Sequence, residues 1–227
     1  MEEKQKKNNR MVQMLLGNFL IGIAVSGYRL AGFGVDPFTA MNLAISQYID
    51  WLFGTWQLTI NAVLLVATFF LVRRCIGIGT IINMAGIGYL SDFVCWLVQE
   101  EWNVPIGLPT RIILFIVSQI VCALGVAFYM VADMGISPYD SIPLMLEKLT
   151  HGKLPFLIAR VSTDVTVVVV GIVFCIIGKH SIFTILGIAT ISNAVLNGPM
   201  IQFFKKWISG SDSNTEEQEV ARFLEET

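Results

Sequence analysis

The sequence predicts an all-α membrane protein of about six transmembrane helices in two inverted repeats of three helices, each with a broken or re-entrant helix. Three observations support this prediction. The 227 residues are 55% hydrophobic and only 14% charged, with a mean hydropathy of +0.69, whereas a soluble domain carries about 25% charged residues. Several apolar stretches are long enough to cross a bilayer. Two sequence motifs also occur twice, once in each half of the chain.

The predicted membrane spans are apolar stretches of roughly 20 residues, the length at which a helix crosses the hydrocarbon core. Two shorter and more polar segments, 36–50 and 137–150, are not counted as spans. The spans are 11–33, 56–73, 76–98, 111–132, 155–177 and 181–204. The chain then divides into a basic N-terminus (1–10), a first repeat (11–99), a connecting loop (100–110), a second repeat (111–205) and an acidic tail (206–227).

Lysine and arginine in the loops orient the predicted helices, because cytoplasmic loops carry an excess of these residues. With six spans and a cytoplasmic N-terminus, the outer side holds only Arg111 and Lys179. Counting the two short segments as spans would place Arg73 and Arg74 outside, so six spans fit better. Each repeat then has an odd number of spans. The second repeat is therefore predicted to be inverted relative to the first, with both termini cytoplasmic.

The first repeated motif, which we call the Pro motif, reads Gly-Val-Asp-Pro-Phe-Thr at 34–39 and Gly-Ile-Ser-Pro-Tyr-Asp at 135–140. Its glycine can end one helix in a left-handed conformation. The Asp or Ser is a good N-cap and the proline suits the first position of a new helix. The predicted helix-breaking residues are Gly34, Pro37, Gly135 and Pro138.

Two placements are open for the helix that follows each Pro motif. A re-entrant helix would expose free N–H groups and a partial positive charge inside the membrane, where such helix starts hold anionic groups in transporters. Asp36 could occupy the first of these starts. A helix lying along the membrane surface fits equally well, since Phe38, Met41 and Ile45 form an apolar stripe beside polar residues.

The second repeated motif, which we call the Thr/Asn motif, reads Gly-Ile-Gly-Thr-Ile-Ile-Asn at 77–83 and Gly-Ile-Ala-Thr-Ile-Ser-Asn at 187–193. The Thr and Asn lie three residues apart, so they share one helix face. Asn83 and Asn193 are predicted to point at the interface between the halves. There they would either contact a solute or join helices, a role for which Asn, Thr and Gly are common.

Ionisable residues within the spans are costly in lipid and are candidates for function. Arg160 and Asp164 are four residues apart and can pair on one helix face, either as a solute site or as a self-contained ion pair. Arg29 lies near the outer end of the first span and either extends to the membrane surface or contacts a solute. The candidate solute-binding residues are Arg29, Asp36, Asn83, Asp140, Asn193, Arg160 and Asp164.

The two motifs together resemble those of the YczE/YyaS/YitT-type family of bacterial integral membrane proteins. The match rests on 135–140 and 77–83 and extends over most of 11–205. The first copy of the Pro motif differs in having Thr39 where the second has Asp140. The resemblance implies a multi-pass protein of the bacterial inner membrane, and it adds little about a substrate.

A repeated membrane chain without an ATP-binding loop predicts a gradient-driven transporter of a small polar solute, working by alternating access. The alternative is a non-transporting membrane subunit or regulatory protein that binds a small molecule or a partner. The chain has no His-Glu-x-x-His or Gly-x-Ser-x-Gly, so no enzyme is predicted.

The same composition bounds the cofactors and partners. The four cysteines form no Cys-x-x-Cys pair and both histidines lie in connecting segments, so no metal or other cofactor is predicted. A net charge of −2 argues against nucleic acid. The expected partners are the lipid bilayer and a small polar solute, and a homo-oligomer is left open.

Overall fold

The computed structural model describes residues 2–103 and 105–209, and every regular element within those ranges is a helix. The predicted acidic tail lies outside the described residues from position 210 onward. The helices are α1 (Glu2–Ala31), α2 (Pro37–Tyr48), α3 (Phe53–Leu71), α4 (Ile78–Trp96), α5 (Leu108–Ala132), α6 (Ile142–Leu149), α7 (Phe156–Ile177), α8 (Ile182–Ile185) and α9 (Ile188–Ser209). A 3₁₀ turn (Arg73–Cys75) precedes α4, and a π turn (Leu97–Glu101) follows it.

Among the described residues, five helices are long and apolar enough to cross a membrane. The segments Ile182–Asn193 and Val195–Ser209, which meet at 48° within α9, make a sixth if they are counted as one span. Pro199 lies inside α9. Its ring removes the backbone hydrogen bond to the carbonyl of Val195 and crowds that carbonyl, which accounts for the bend. The prediction of an all-α membrane protein with about six transmembrane helices is confirmed. The five straight spans are Asn8–Ala31, Phe53–Leu71, Ile78–Glu101, Leu108–Ala132 and Ile158–Ile177.

The centre of the bundle is the crossing of α1 and α5. A Cβ atom added at Gly17 would lie 2.7 Å from the carbonyl oxygen of Gly125, and one added at Gly125 would lie 2.9 Å from the carbonyl oxygen of Gly17. Only glycine lets the two backbones approach this closely, as in other small-residue interfaces between membrane helices. Because α4 packs on α1 and α9 packs on α5, the two Thr/Asn motifs flank this crossing.

The short helix α2 is buried over most of its length. Every residue from 38 to 46 is buried, including the polar residues Thr39, Asn42 and Ser46, which are at most 3% exposed. A helix on the membrane surface would leave its polar face in water. The side chains of α2 instead lie in the protein interior, between α3 and α7.

Candidate functional site

The first Pro motif is hydrogen-bonded to the Thr/Asn motif of the other half of the chain. The carbonyl of Phe33 accepts from the N–H of Ala189 at 2.8 Å, and the N–H of Val35 donates to the carbonyl of Ile185 at 3.1 Å. The chain that leaves α1 is therefore joined to the start of α9.

The same pair of bonds recurs at the second Pro motif. The carbonyl of Met134 accepts from the N–H of Gly79 at 2.8 Å, and the N–H of Ile136 donates to the carbonyl of Cys75 at 3.0 Å. Positions 33 and 35 in the first half correspond to 134 and 136 in the second, a shift of 101 residues. Positions 75 and 79 in the first half correspond to 185 and 189 in the second, a shift of 110 residues. At both sites the residue just before the Pro motif accepts from the opposite Thr/Asn motif, and the second residue of the Pro motif donates to a carbonyl two residues before that Thr/Asn motif.

Glycine is required where each Pro motif meets the opposite Thr/Asn motif. Gly34 and Gly135 have φ angles of +96° and +104°, a region that residues with a Cβ rarely adopt. A Cβ at Gly135 would lie 2.5 Å from both the amide nitrogen of Gly77 and the hydroxyl of Thr80, and a Cβ at Gly34 would meet the amide nitrogen of Gly187.

The two Pro motifs start their helices differently. Asp36 caps α2 by accepting from the N–H of Thr39 at 3.0 Å, and Pro37 is the first residue of α2. In the second copy the hydroxyl of Ser137 accepts from the N–H of Asp140 at 3.1 Å, but the next residues form turns and α6 begins only at Ile142.

The start of α6 at Ile142, rather than at Pro138, has a local cause. Pro143 has no N–H, so it cannot donate to the carbonyl of Tyr139, and a regular α-helical turn cannot span this position. The N–H of Ile142 donates to that carbonyl instead, at 3.1 Å. The expectation that a helix starts directly at Pro138 therefore does not match the described helix bounds.

The aromatic residues of the two Pro motifs stack on each other. The rings of Phe38 and Tyr139 are 4.2 Å apart between centroids and 17° from parallel. They share a buried cluster with Met41, Ile45 and Val167. Two segments separated by about a hundred residues therefore meet beside α7.

An ion cluster lies beside this stack. Arg160 contacts Asp140 at 2.6 Å and Asp164 at 3.3 Å, and the hydroxyl of Tyr139 donates to Asp164. The guanidinium of Arg160 also lies 5.2 Å from the centre of the Tyr139 ring. The predicted pairing of Arg160 with Asp164 is present, but the shorter contact joins Arg160 to Asp140 on another element. One cation thus serves two carboxylates.

Asp36 lies close to this cluster without a direct bond to it. Burial raises the pKa of Asp36 above its ordinary value, and the negative charges of Asp164 and Asp140 raise it further. The residue as a whole is half-buried, and Phe38, two residues further on, stacks on Tyr139 of the cluster. The structure therefore brings four of the predicted residues into one region: Asp36, Asp140, Arg160 and Asp164.

Arg29 belongs to a different cluster. It contacts Asp92 at 2.8 Å and the hydroxyl of Ser91 at 2.8 Å, and Asp92 also accepts from the N–H of Gly54 at 2.6 Å. The guanidinium carbon of Arg29 lies 4.7 Å from the centre of the Phe53 ring. The side chains of Arg29 and Asp92 are only 19% and 16% exposed. Arg29 therefore ties α1 to α3 and α4, and the choice between solute contact and extension to the membrane surface stays a prediction.

Asn83 and Asn193 do not meet each other. The amide of Asn83 donates to Asn18 at 2.8 Å. The side-chain oxygen of Asn193 accepts from the hydroxyl of Tyr28 at 3.1 Å and from the amide of Gln119 at 3.4 Å. Asn83 is thus bonded to α1 of its own half, whereas Asn193 is bonded both to α5 of its own half and to α1 of the other half. Neither contacts the ion cluster through these bonds. Their role as solute contacts stays a prediction.

Replacing either Asn by Ala tests that role. Because both amides are bonded to neighbouring helices, we expect Asn83→Ala and Asn193→Ala each to cost about 0.6 kcal/mol and at most about 1.7 kcal/mol. Asn193→Ala should cost more, since it loses two donors. Thermal melting and solute uptake on the same preparations check this. An uptake loss far beyond the melting loss would instead assign these residues to the solute.

Several functional candidates were missed by the sequence reasoning. Within the part of the chain that the structure describes, six buried side-chain atoms have no hydrogen-bond partner. Four of them lie on α2 and α3, namely the amide oxygens of Asn42, Gln57 and Asn61 and the indole nitrogen of Trp56. The other two are the hydroxyl of Tyr129 on α5 and the amide oxygen of Asn197 on α9. Uncharged amides in an apolar helix do not stand out by composition. Their spacing could have revealed them, because Gln57 and Asn61 are four apart, as are Arg160 and Asp164.

Comparison with known proteins identifies the family. The model of a family of unknown function, DUF6198, matches residues 8–206, which contain both copies of each motif. This chain belongs to DUF6198. No solved structure matches it significantly.

Two Bacillus subtilis (strain 168) proteins are similar to this DUF6198 chain. The uncharacterized protein YyaS is 25% identical over 196 residues, covering 83% of this chain and 89% of its own length. The uncharacterized membrane protein YczE is 25% identical over 188 residues, covering 82% and 78%. The resemblance predicted from the motifs is confirmed. The name of YczE and the apolar helices of this DUF6198 chain agree on a membrane location.

Proposed function

We propose that this protein is a secondary transporter of a small polar solute, built from two inverted repeats that alternate access to a central site. The observation that carries the proposal is the reciprocal bonding of the two Pro motifs to the opposite Thr/Asn motifs. Transporters of repeated build hold their solute where discontinuous helices meet at the interface between the repeats. Here the Pro motifs meet at the stack of Phe38 and Tyr139.

The contacts along α7 support a re-entrant placement of both Pro motifs. Asp140 binds Arg160 near the start of α7, whereas Tyr48, the last residue of α2, packs on Phe174 near the end of α7 at 5.5 Å. The two motif segments therefore approach α7 from opposite ends. In a bilayer this arrangement corresponds to two half-helices that enter from opposite sides.

The reciprocal bonds also suggest how access could alternate. Each pair of bonds joins backbone groups of the two halves. One pair joins 33–35, after the end of α1, to 185–189, and the other joins 134–136, after the end of α5, to 75–79. Backbone bonds between separate segments can open without unfolding a helix. A rocking motion that opens one pair while the other stays closed would expose the Phe38–Tyr139 region to one side at a time.

The remaining parts of the proposal follow the sequence. The protein lies in the bacterial inner membrane with both termini in the cytoplasm, since the loop cations favour this orientation. It acts without a cofactor and is not an enzyme. The alternative, a non-transporting subunit that binds a small molecule or partner, shares the same site and differs only in the absence of net flux.

The orientation is tested with single cysteines in a cysteine-free background. The four native cysteines are all buried, so their replacement by Ala or Ser leaves the surface unchanged. We expect Arg73→Cys and Lys153→Cys to react with an impermeant maleimide only after the cells are permeabilised, and Lys179→Cys to react in intact cells. Labelling of positions 73 and 153 from opposite sides would exclude the inverted six-span arrangement.

Transport is tested with purified protein in liposomes. Pools of neutral, zwitterionic and ionic metabolites are added outside, with and without a proton gradient, and the lumen is analysed by mass spectrometry. We expect at least one solute to accumulate above the level in protein-free liposomes. A solute that raises the melting temperature but never accumulates under any gradient would favour the non-transporting alternative.

A further inference from the structure

The ion cluster has an uncharged counterpart in the first half of the chain. Helix α3 begins at Phe53 and α7 begins at Phe156, a shift of 103 residues. With this shift Gln57 corresponds to Arg160, and Asn61 corresponds to Asp164.

The Pro motifs supply the other members of the counterpart. The shift of 101 residues places Phe38 opposite Tyr139 and Thr39 opposite Asp140. The three charged residues of the cluster thus correspond to uncharged polar residues in the first half, and Tyr139 corresponds to a phenylalanine without a hydroxyl. The two copies still touch, because Phe38 stacks on Tyr139.

The two copies differ in whether their polar groups are bonded. In the second half Arg160 is bonded to both carboxylates, and Tyr139 is bonded to Asp164. In the first half the side-chain oxygens of Gln57 and Asn61 have no partner among the described residues. Gln57 is 6% exposed and Asn61 is 2% exposed. Buried polar groups are nearly always hydrogen-bonded in native proteins, so each exception needs an explanation.

Asn42 adds a third free acceptor on the neighbouring helix. Its amide nitrogen donates to the carbonyl of Phe38 at 2.9 Å, so the amide group is oriented by that bond and its oxygen is the atom left without a partner. Asn42 is fully buried, and α2 packs against α3. The indole N–H of Trp56, beside Gln57 in sequence, is a free donor in the same helix pair.

These groups select a chemical class of ligand. Three free acceptors and one free donor match a molecule with several N–H or O–H groups and at least one acceptor of its own. None of the four side chains carries a charge, so an ionic ligand would lose its hydration without gaining a counter-charge. An anionic ligand would also be repelled by the neighbouring ion cluster, in which one cation faces two carboxylates.

We propose that Asn42, Gln57 and Asn61 form the solute-binding site of this transporter and that the solute is an uncharged polar molecule rich in N–H or O–H donors, such as an amide or a polyol. This inference rests on the proposed function and names its substrate class. The ion cluster then acts beside the solute, where it keeps the second Pro motif in the arrangement that transport requires.

Melting of the purified protein in detergent tests the free amides without any transport assay. We compare Asn61→Leu with Asn83→Leu, since Asn83 is also a buried amide but is bonded to Asn18. An apolar side chain of similar shape removes an unpaired acceptor in the first variant and breaks a bonded pair in the second. We expect Asn61→Leu to melt at or above the wild-type temperature and Asn83→Leu to melt below it.

Ligand probes complete the test. Acetamide, urea and glycerol are the neutral probes, acetate and guanidinium are the charged ones, and sodium chloride is compared with choline chloride. We expect at least one neutral probe to stabilise the wild type, with affinity at least tenfold weaker in Asn61→Leu.

Three results would overturn the inference. The first is that Asn61→Leu melts as far below the wild type as Asn83→Leu does. The second is that only charged probes or sodium stabilise the protein, and the third is that no neutral probe stabilises it. If the melting pattern and the probe binding hold but liposomes show no flux, the site stands and the transport proposal fails.

Discussion

Gly135→Ala is expected to cost about 3 kcal/mol or more of stability. The substitution forces a residue with a Cβ to hold a φ of +104°, and strain of this kind costs about 1–3 kcal/mol. The new Cβ would also lie 2.5 Å from Thr80 and Gly77. The segment must therefore move, and the flanking bonds to Gly79 and Cys75 would be lost, at about 1 kcal/mol each.

The measurement is the melting temperature and folded yield in detergent, with Gly86→Ala as the matched control. Gly86 lies within α4, and a Cβ there meets nothing within 4 Å. Alanine favours a helix over glycine by about 0.8–1 kcal/mol, so the control should melt at or above wild type. Gly34→Ala should behave like Gly135→Ala, since its φ is +96°. Equal melting of Gly135→Ala and Gly86→Ala would show that the contact between Pro and Thr/Asn motifs contributes little.

Arg160→Gln is expected to lower uptake at least tenfold. The change leaves Asp140 and Asp164 without their shared cation, so two carboxylates repel each other beside the Phe38–Tyr139 stack. Hydrogen bonds to charged groups contribute about 1.5–3 kcal/mol. Because the side chains of Arg160 and Asp140 are 35% and 45% exposed, we expect a stability loss at the lower end of that range.

Two further variants separate folding from function. The double variant Asp140→Asn with Arg160→Gln restores the net charge of the cluster, so its melting should recover while its uptake stays low. The control variant Asp133→Asn removes an acid just before the second Pro motif. Asp133 pairs with Arg10, and its side chain is 80% exposed. Such exposed pairs contribute about 0–1 kcal/mol, so uptake should be unchanged. Recovery of both melting and uptake in the double variant would reduce the ion cluster to a structural role.

The membrane class, the helices and the family could be predicted from the sequence because each depends on local properties. A run of apolar residues must form a helix in lipid wherever it occurs, since its backbone groups have no other partners. The capping of α2 by Asp36 is likewise local, because the bond spans three residues. Both motifs are contiguous, so the family resemblance needed no knowledge of the fold.

The partners of the candidate residues depend on packing between distant segments. The rule for residues four apart pairs Arg160 with Asp164, but it contains no information about Asp140, which is nearer and comes from another element. Likewise, the partner of Arg29 is Asp92 on α4, and the bonds of Asn83 and Asn193 lead to α1 and α5. The inverted arrangement, the orientation and the transport function stay predictions.

The sequence by itself determined that two motifs occur twice, and only the tertiary structure decided that each Pro motif binds the Thr/Asn motif of the opposite half. Both motifs offer backbone donors and acceptors, and nothing along the chain says which carbonyl each N–H will meet. That choice follows from the close crossing of α1 and α5 at Gly17 and Gly125. The crossing brings together Phe33 with Ala189 and Gly79 with Met134, although these pairs are 156 and 55 positions apart in the chain. Only the packed structure shows that the side-chain oxygens of Asn42, Gln57 and Asn61 are buried without partners among the described residues.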